Sequence, residues 1–278
     1  MAASLDEGKV PATVAIMFSP QARVPRDQGS AVFSQKAADY RMARPAYPAV
    51  WFDQLVTEGL LFPGALVADI GAGTGLLTAS LLDRGMRVIA VEPNDEMRAA
   101  CETWLGGREN FRVVAGTAEA TTLEESSVDL VTAAQAFHWF HVDESRREFL
   151  RILKPGGQVA LVWNDRVDDD PLQQVLTTLL AAAGGTAQTA VSARKNKAGV
   201  PEFFGGSYRT FEFRHEQRLT REGLRGLMFS RSYMPPRASP VGARVCAETD
   251  LAFDAYANGD TVAIHYRTVT MLGRPAEA

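Results

Sequence analysis

Short apolar runs alternate with segments of helical periodicity along the middle of the chain. The apolar runs predict buried strands at Leu66–Ile70, Arg87–Val91, Phe111–Ala115, Val128–Ala134 and Gln158–Trp163. The segments between them predict helices at Leu76–Leu82, at Asp95–Trp104 with Asp95 as N-cap, and at Asp143–Leu153. Almost continuously apolar strands that alternate with helices are typical of a parallel sheet covered on both faces. The pattern therefore predicts an α/β fold whose strand-to-helix turns lie at one edge of the sheet.

The alternation ends after the fifth strand. The remaining chain predicts helices at Leu172–Ala183, Arg221–Ser230 and Ala247–Ala257, and strands at Tyr208–Arg214 and Val262–Met271. Because the strand–helix rhythm breaks after Trp163, we interpret residues 164–240 as a cap insertion within a single domain of residues 31–278. Residues 1–30 lack periodicity and predict a flexible tail. Residues 31–60 have helical spacing, interrupted at Arg44–Pro48, and predict an N-terminal helical lid.

Composition and charge restrict the classes of partner. The chain has 278 residues, of which 46% are hydrophobic and 22% charged, as is ordinary for a globular protein. The net charge is −4 without a basic stripe, which disfavours a nucleic-acid partner. Cys101 and Cys246 form neither a disulfide framework nor a metal-ligand pattern, so we expect reduced thiols and no metal. No apolar run approaches the ~20 residues that span a bilayer, and Val10–Phe18 lacks the features of a signal peptide. We therefore expect a cytoplasmic protein without a membrane partner.

A glycine-rich turn within Val67–Gly75 joins the first predicted strand to the following helix. Glycines there let the backbone approach a ligand closely, and free N–H groups at a helix start suit an anionic group. A dinucleotide site needs G-x-G-x-x-G, whereas this turn has G-x-G-x-G, and Leu76 stands where the third glycine is needed. Asp69, on the strand before the turn, suits a ligand ammonium and not a pyrophosphate. The turn therefore disfavours a nucleotide-linked dehydrogenase.

Two further polar positions follow the next strands. Glu92 ends the second strand about 20 residues after the turn, where a carboxylate can accept two ribose hydroxyls. A carboxylate at this position suits a dinucleotide as well as any other cofactor with a free ribose, so it does not distinguish between them. The loop Gly116–Glu119 follows the third strand at the same edge and can hold an adenine ring through Ala118 and Glu119.

Taken together, these segments resemble a class I S-adenosylmethionine-dependent methyltransferase. Four landmarks occur in the order of that family: the Asp69–Gly75 turn, Glu92, the Gly116–Glu119 loop, and Leu153–Gly157 before the fifth strand. The resemblance implies a Rossmann-like, seven-stranded, mostly parallel sheet with helices on both faces. It also implies S-adenosyl-L-methionine as the cofactor and methyl transfer to a small-molecule acceptor as the activity.

The same resemblance assigns the cofactor contacts. The methionine moiety would lie along Gly71, Ala72, Gly73 and Gly75. Its amino group would face Asp69, the ribose would face Glu92, and the adenine would lie beside Met97 and Ala118. The other implied cofactor contacts are Tyr40, Arg44, Pro93, Thr117, Glu119, Gln135 and Phe137.

A narrower resemblance concerns the acceptor. The segments Tyr40–Pro48 and Ala134–Phe140 are similar to segments of the trans-aconitate methyltransferase-like subgroup, which methylates a carboxylate of a small polyacid or related small molecules. His141 stands where that pattern often has Asp. The resemblance favours O-methylation of a carboxylate. N- or C-methylation of a metabolite, and a non-catalytic module that binds the cofactor, stay open, as does the oligomeric state.

One histidine is the candidate catalytic residue. His138 follows the fourth strand, where it can contact the acceptor or act as a general base, although a packed histidine between two aromatic residues explains it equally. Tyr40 and Arg44 are candidates for a lid over the cofactor, and Arg41 or Arg44 suits a bidentate carboxylate contact. The candidate residues for binding the acceptor are Arg41, Trp139, Arg231 and Tyr233.

Overall fold

The computed structural model describes residues 44–167, 169–184, 197–230 and 234–277. The predicted tail and the first part of the predicted lid, with Tyr40 and Arg41, lie outside the described residues. So do Arg231 and Tyr233 of the predicted acceptor site. Arg44, in the middle of the predicted lid, is described.

A single seven-stranded sheet runs through the described residues, in the order β3-β2-β1-β4-β5-β7-β6. Its strands are β1 (Leu66–Ile70), β2 (Arg87–Val91), β3 (Phe111–Val114), β4 (Val128–Ala134), β5 (Leu153–Arg166), β6 (Arg209–Leu219) and β7 (Val262–Gly273). β1 to β5 pair in parallel, and β7 lies antiparallel between β5 and β6. The predicted seven-stranded, mostly parallel sheet is confirmed.

Helices cover both faces of this sheet. They are α1 (Ala49–Thr57), α2 (Leu76–Leu82), α3 (Asp95–Leu105), α4 (Val142–Ile152), α5 (Pro171–Gly184), α6 (Val200–Phe203), α7 (Arg221–Phe229) and α8 (Pro240–Tyr256). One apolar cluster joins α1, α2 and α3 to the sheet, and a second joins α4 and α6 to it. Because strand residues alternate between these clusters, the sheet is buried on both sides and its inner strands are mostly apolar.

Several element ends differ from the sequence prediction, and particular contacts explain three of the differences. The N-cap of α3 is Asn94 and not Asp95, because the Asn94 side chain accepts the Met97 N–H at 2.9 Å. β5 begins at Leu153, which pairs with Val128 before a bulge restores the register at Gln158. α8 begins at Pro240, well before the predicted start at Ala247, because Ser239 caps it by accepting the Gly242 N–H.

The predicted cap insertion contains an edge strand of the sheet as well as helices. β6 pairs with β7 along its whole length, from Arg209 opposite Leu272 to Leu219 opposite Val262. β5 ends opposite Tyr266, so β6 and β7 extend beyond the carboxyl end of β5. A third apolar cluster packs α5, α7 and α8 against this extension. The cap helices therefore lie next to the edge at which the predicted cofactor turn is found.

No helix within the described ranges is long and apolar enough to cross a membrane.

Candidate functional site

The glycine turn lies where the carboxyl end of β1 meets α2. Gly71, Gly73 and Gly75 have φ angles of 69°, 59° and 89°, a left-handed region that other residues adopt only with strain. The Val91 carbonyl accepts N–H bonds from Gly71 at 2.8 Å and Ala72 at 3.2 Å, which ties the turn to β2. The three glycines thus form a fixed loop above the edge of the sheet.

The surroundings of the three glycines differ. A Cβ atom on Gly71 would lie 2.7 Å from the Ala136 Cβ, and one on Gly75 would lie 2.7 Å from the Cys101 Sγ. A Cβ atom on Gly73 would meet nothing within 4 Å among the described residues. Two of the glycines therefore allow close packing inside the protein, whereas the third faces open space.

Glu92 connects the end of β2 to this turn. Its carboxylate accepts the Gly73 N–H at 2.8 Å through Oε2 and the Asn94 N–H at 2.9 Å through Oε1. The residue is only 7% exposed, so the structure holds the carboxylate firmly against the loop. Each carboxylate oxygen accepts more than one hydrogen bond, so both retain capacity for ligand hydroxyls.

Asp69 lies beneath the turn and is 1% exposed. Thr78 donates a hydroxyl hydrogen bond to its Oδ2 at 2.6 Å, and Thr132 donates one to its Oδ1 at 2.9 Å. Burial raises the pKa of Asp69 to about 6, although the two hydroxyl bonds oppose the shift, and the charge of Glu92 adds to it. Because both oxygens already accept hydroxyls, Asp69 can act on a ligand ammonium through its charge across the loop.

Asp69 should make stability depend on pH. Its pKa is higher in the folded state than the ordinary 3.8, so the stabilisation by protonation is complete below pH 3.8 and is lost as the pH rises through about 6. We expect the unfolding free energy of the wild type, relative to Asp69→Asn, to fall by about 2 kcal/mol between about pH 4 and pH 7. Urea unfolding of both proteins over this range measures the difference. A difference that stays constant or rises contradicts this account of Asp69.

The loop after β3 lies beside the same edge. Ala118 is buried against the second apolar cluster, whereas Thr117 is exposed and its hydroxyl accepts N–H bonds from Glu119 and Ala120. Glu119 accepts the His141 N–H at 2.8 Å. Partial burial pushes the pKa of Glu119 upward, but the hydrogen bonds from His141 and Thr117 outweigh it and leave the pKa lowered. The loop is thereby fixed to the start of α4.

Two other predicted cofactor contacts lie at the first turn of α3. Pro93 is exposed directly after Glu92, and Met97 is partly exposed one turn into the helix. Both therefore flank the Glu92 carboxylate at the open edge of the sheet.

The turn after β4 carries the candidate catalytic residue. Gln135 has a φ angle of 57°, and its side-chain amide donates to the Asn164 carbonyl at 3.2 Å. The ring of Phe137 is buried against Trp163 and Phe203, so it supports the short 3-10 helix Phe137–Trp139 from below.

His138 and Trp139 of this 3-10 helix are both exposed, and Trp139 reaches 79%. Their rings lie 5.0 Å apart. Partial desolvation by the surrounding protein lowers the pKa of His138 below that of an ordinary histidine. The neutral imidazole is therefore favoured near pH 7, at the edge where an acceptor would enter.

Sequence reasoning missed several polar residues of this edge. Thr78 and Thr132 hold Asp69, and Asn164 at the end of β5 contacts four other segments. Thr74, inside the glycine turn, has a buried hydroxyl without a hydrogen-bond partner among the described residues. Of these residues, only Thr74 lies within the glycine turn. The roles of the others can be inferred only once the strand order is known.

Comparison with known proteins decides the family. A family model described as a methyltransferase domain matches residues 68–161, from β1 into β5. An uncharacterized methyltransferase-like protein of Schizosaccharomyces pombe is 33% identical over 244 residues, which cover 85% of this chain and 93% of that protein. The chain belongs to the class I S-adenosylmethionine-dependent methyltransferases.

Further relatives agree with this assignment. An uncharacterized methyltransferase of Mycobacterium tuberculosis is 32% identical to this methyltransferase over 248 residues, covering 85% of this chain and 93% of that protein. A solved structure from Anaeromyxobacter dehalogenans, described as a candidate type II methyltransferase, has a TM-score of 0.61 at 22% identity and covers 83% of this chain and 97% of its own. At this level of identity the solved structure supports the fold alone.

The described residues fit S-adenosylmethionine, the cofactor of the family. Gly73 leaves room for the backbone to approach a ligand, and the Glu92 carboxylate has capacity for the ribose hydroxyls. The G-x-G-x-x-G spacing of a dinucleotide site is absent from the turn, where Leu76 stands in place of a third glycine. The prediction of a methyltransferase that uses S-adenosylmethionine is therefore confirmed, and a nucleotide-linked dehydrogenase is excluded.

Proposed function

We propose that the enzyme methylates a carboxylate oxygen of a small molecule, as in the trans-aconitate methyltransferase-like subgroup that its sequence resembles. The observation that carries the proposal is the absence of an oriented base: among the described residues, no carboxylate hydrogen-bonds to His138. A carboxylate is already a nucleophile and needs no base. Arg44 and Arg166, both partly buried, provide positive charge near the carboxyl end of β5.

The cofactor contacts in this proposal are those that the family resemblance implied. Bound S-adenosylmethionine supplies a methyl group on a positively charged sulfur, which is already activated for displacement. The chain then has to align the acceptor oxygen with this methyl group and exclude water. Support comes from the convergence of the following residues on one edge of the sheet: Asp69, Gly71, Ala72, Gly73, Gly75, Glu92, Pro93, Met97, Thr117, Ala118, Glu119 and Gln135.

Two predicted contacts take supporting roles in the proposal. Phe137 has its ring in the core, so it positions the turn between the cofactor and His138. Asp69 balances the charge of the ligand ammonium from beneath the loop. Trp139, together with Arg41, Arg231 and Tyr233 from outside the described residues, stays a proposed contact of the acceptor.

His138 is proposed to contact the acceptor. We expect His138→Ala to lower kcat/KM by about tenfold, the value of one hydrogen bond of about 1.4 kcal/mol. His141→Ala is the matched control, because His141 is also exposed and lies three residues further along. Steady-state kinetics of both variants with the same acceptor measure the effect. Full activity of His138→Ala would remove His138 from the acceptor site.

The experiment that tests the function is a methyl-transfer screen. The enzyme is incubated with S-adenosylmethionine labelled in its methyl group and with matched acids, amines and alcohols of the same carbon skeleton. The proposal predicts label on the acids as base-labile methyl esters. Label only on amines, carbon atoms or alcohols would contradict carboxylate methylation and leave methyl transfer itself intact.

A further inference from the structure

A row of polar side chains crosses the carboxyl edge of the sheet from Gln135, beside the proposed cofactor site, to β6. Its centre is Asn164, whose Oδ1 accepts the Thr268 hydroxyl at 2.6 Å and lies 3.3 Å from the His215 Nε2. The Asn164 Nδ2 donates to the Pro45 carbonyl at 3.2 Å, and the Asn164 carbonyl accepts the Gln135 amide. The row thus connects β4, β5, β7 and β6 with the chain entering α1.

The hydrogen bonds of Asn164 determine which nitrogen of His215 carries the proton. The Pro45 carbonyl can only accept, so the atom of Asn164 that faces it is the donor Nδ2. Oδ1 therefore faces His215, and the ring must donate from Nε2. In the neutral ring Nδ1 is then an acceptor, and no described residue donates a hydrogen bond to it. Burial favours this neutral form by lowering the pKa of His215.

The ring of His215 is also held in place from the side. It stacks on Tyr266, with ring centroids 5.6 Å apart and planes inclined by 24°. Tyr266 is itself buried in the third apolar cluster, beneath the cap helices. Gln217, two residues further on the same face of β6, donates to the Arg44 carbonyl. His215 therefore presents a fixed, partly exposed acceptor nitrogen near the cap.

The position of His215 in the sheet determines how far it lies from the proposed site of methylation. β6 and β4 are separated by β5 and β7, and three strand spacings amount to roughly 14 Å. The side chains of Asn164 and His215 lie on the same face, where the cap helices and α1 meet. An acceptor whose oxygen is methylated near His138 would therefore contact His215 only through the end remote from that oxygen.

We propose that His215 is a specificity-determining residue: its Nδ1 accepts a hydrogen bond from a hydroxyl or N–H group at the end of the acceptor remote from the methylated oxygen. Asn164 is the positioning residue that fixes the ring. This inference rests on the proposed function, because it requires a small-molecule acceptor in that place. It adds that the acceptor carries a hydrogen-bond donor at its far end.

The test uses pairs of straight-chain acids of roughly ten to twelve carbon atoms, which match the strand separation when extended, each with its ω-hydroxy counterpart. We expect the wild type to prefer the hydroxy acid by about tenfold in kcat/KM, equivalent to about 1.4 kcal/mol. His215→Leu should lower kcat/KM for the hydroxy acid about tenfold more than for the parent acid. Arg214→Gln, at the neighbouring exposed position on the opposite face of β6, should keep the wild-type preference. Equal efficiency within every pair, or a preference that survives His215→Leu, overturns the inference.

A second measurement is independent of methyl transfer. In ¹⁵N-histidine NMR spectra of the enzyme saturated with S-adenosylhomocysteine, His215 should carry its proton on Nε2. Asn164→Ala should mix the two tautomers, and Asn164→Asp, which restores the acceptor oxygen, should recover the Nε2–H form. Hydroxy acids should shift the Nδ1 signal where the parent acids do not. An Nδ1–H tautomer in the wild type, or no such shift, overturns the inference, whereas the shift without any methylation contradicts only the proposed function.

Discussion

Replacing Glu92 with glutamine should weaken the binding of S-adenosylmethionine by about 100-fold or more. The Glu92 carboxylate accepts N–H bonds from Gly73 and Asn94 and, in the proposed site, the two ribose hydroxyls as well. Hydrogen bonds to a charged group contribute about 1.5–3 kcal/mol each, and about 1.4 kcal/mol corresponds to a factor of ten. A neutral amide loses one acceptor oxygen and the charge, so the loop and the ligand are affected together.

Glu96→Gln is the matched control for this substitution. Glu96 lies in the first turn of α3, close to Glu92 in the chain, but it is exposed. We expect the affinity of the Glu96→Gln variant for the cofactor to stay within about twofold of the wild type, because exposed charges contribute little to interaction energies. Calorimetric titration measures both variants, and urea unfolding shows that Glu92→Gln is folded. If a folded Glu92→Gln protein binds the cofactor as tightly as the wild type, Glu92 does not hold the ribose.

Gly73→Ala should abolish detectable binding of the cofactor while leaving most of the stability intact. The new methyl group meets no described residue within 4 Å, so the protein itself accommodates it. The left-handed φ of 59° costs about 1 kcal/mol for alanine. In the proposed site, however, the methyl group would occupy the space into which the methionine moiety must fit, and a loss of about 100-fold or more in affinity follows.

Substitutions at two other glycines distinguish backbone strain and packing clashes from the loss of space for the ligand. Gly85, with a φ of 77°, also has no neighbour within 4 Å, so Gly85→Ala carries the same strain away from the glycine turn. Gly71→Ala adds a clash at 2.7 Å and should cost about 1–3 kcal/mol more than either. Unfolding curves and cofactor titrations of the three variants test the series. Normal cofactor binding by Gly73→Ala would show that the ligand does not approach this part of the loop.

The inner strands of the sheet were predictable because burial on both faces makes them continuously apolar. Leu66–Ile70 ends at a glycine and Val128–Ala134 lies between two polar residues, and the structure has both strands with the predicted limits. The start of α8 was missed because the signal is a single serine hydroxyl at Ser239, in a segment whose apolar periodicity is weak. The start of β5 was missed because a Pro-Gly-Gly sequence predicts a turn, whereas pairing with Val128 continues across a bulge.

Some residues of the candidate site could likewise be predicted from the sequence, and others could not. The glycine turn and Glu92 could be predicted because they are local signals, in which residue type and spacing reflect the backbone geometry that a ligand needs. The contacts of Asn164 could not, because residues 164, 215 and 268 come together only through the strand order β5-β7-β6. Hydroxyls such as that of Thr132 carry no signal for their role until the partner, Asp69, is known to be buried beside them.

The most direct test of the central claim is a calorimetric titration of the purified protein with S-adenosylmethionine, S-adenosylhomocysteine and NAD in parallel. The glycine turn, Glu92 and the family assignment predict binding of the first two at micromolar concentrations and no heat from NAD. Binding of NAD alone, or of none of the three by a folded protein, would contradict the assignment of this edge of the sheet as an S-adenosylmethionine site.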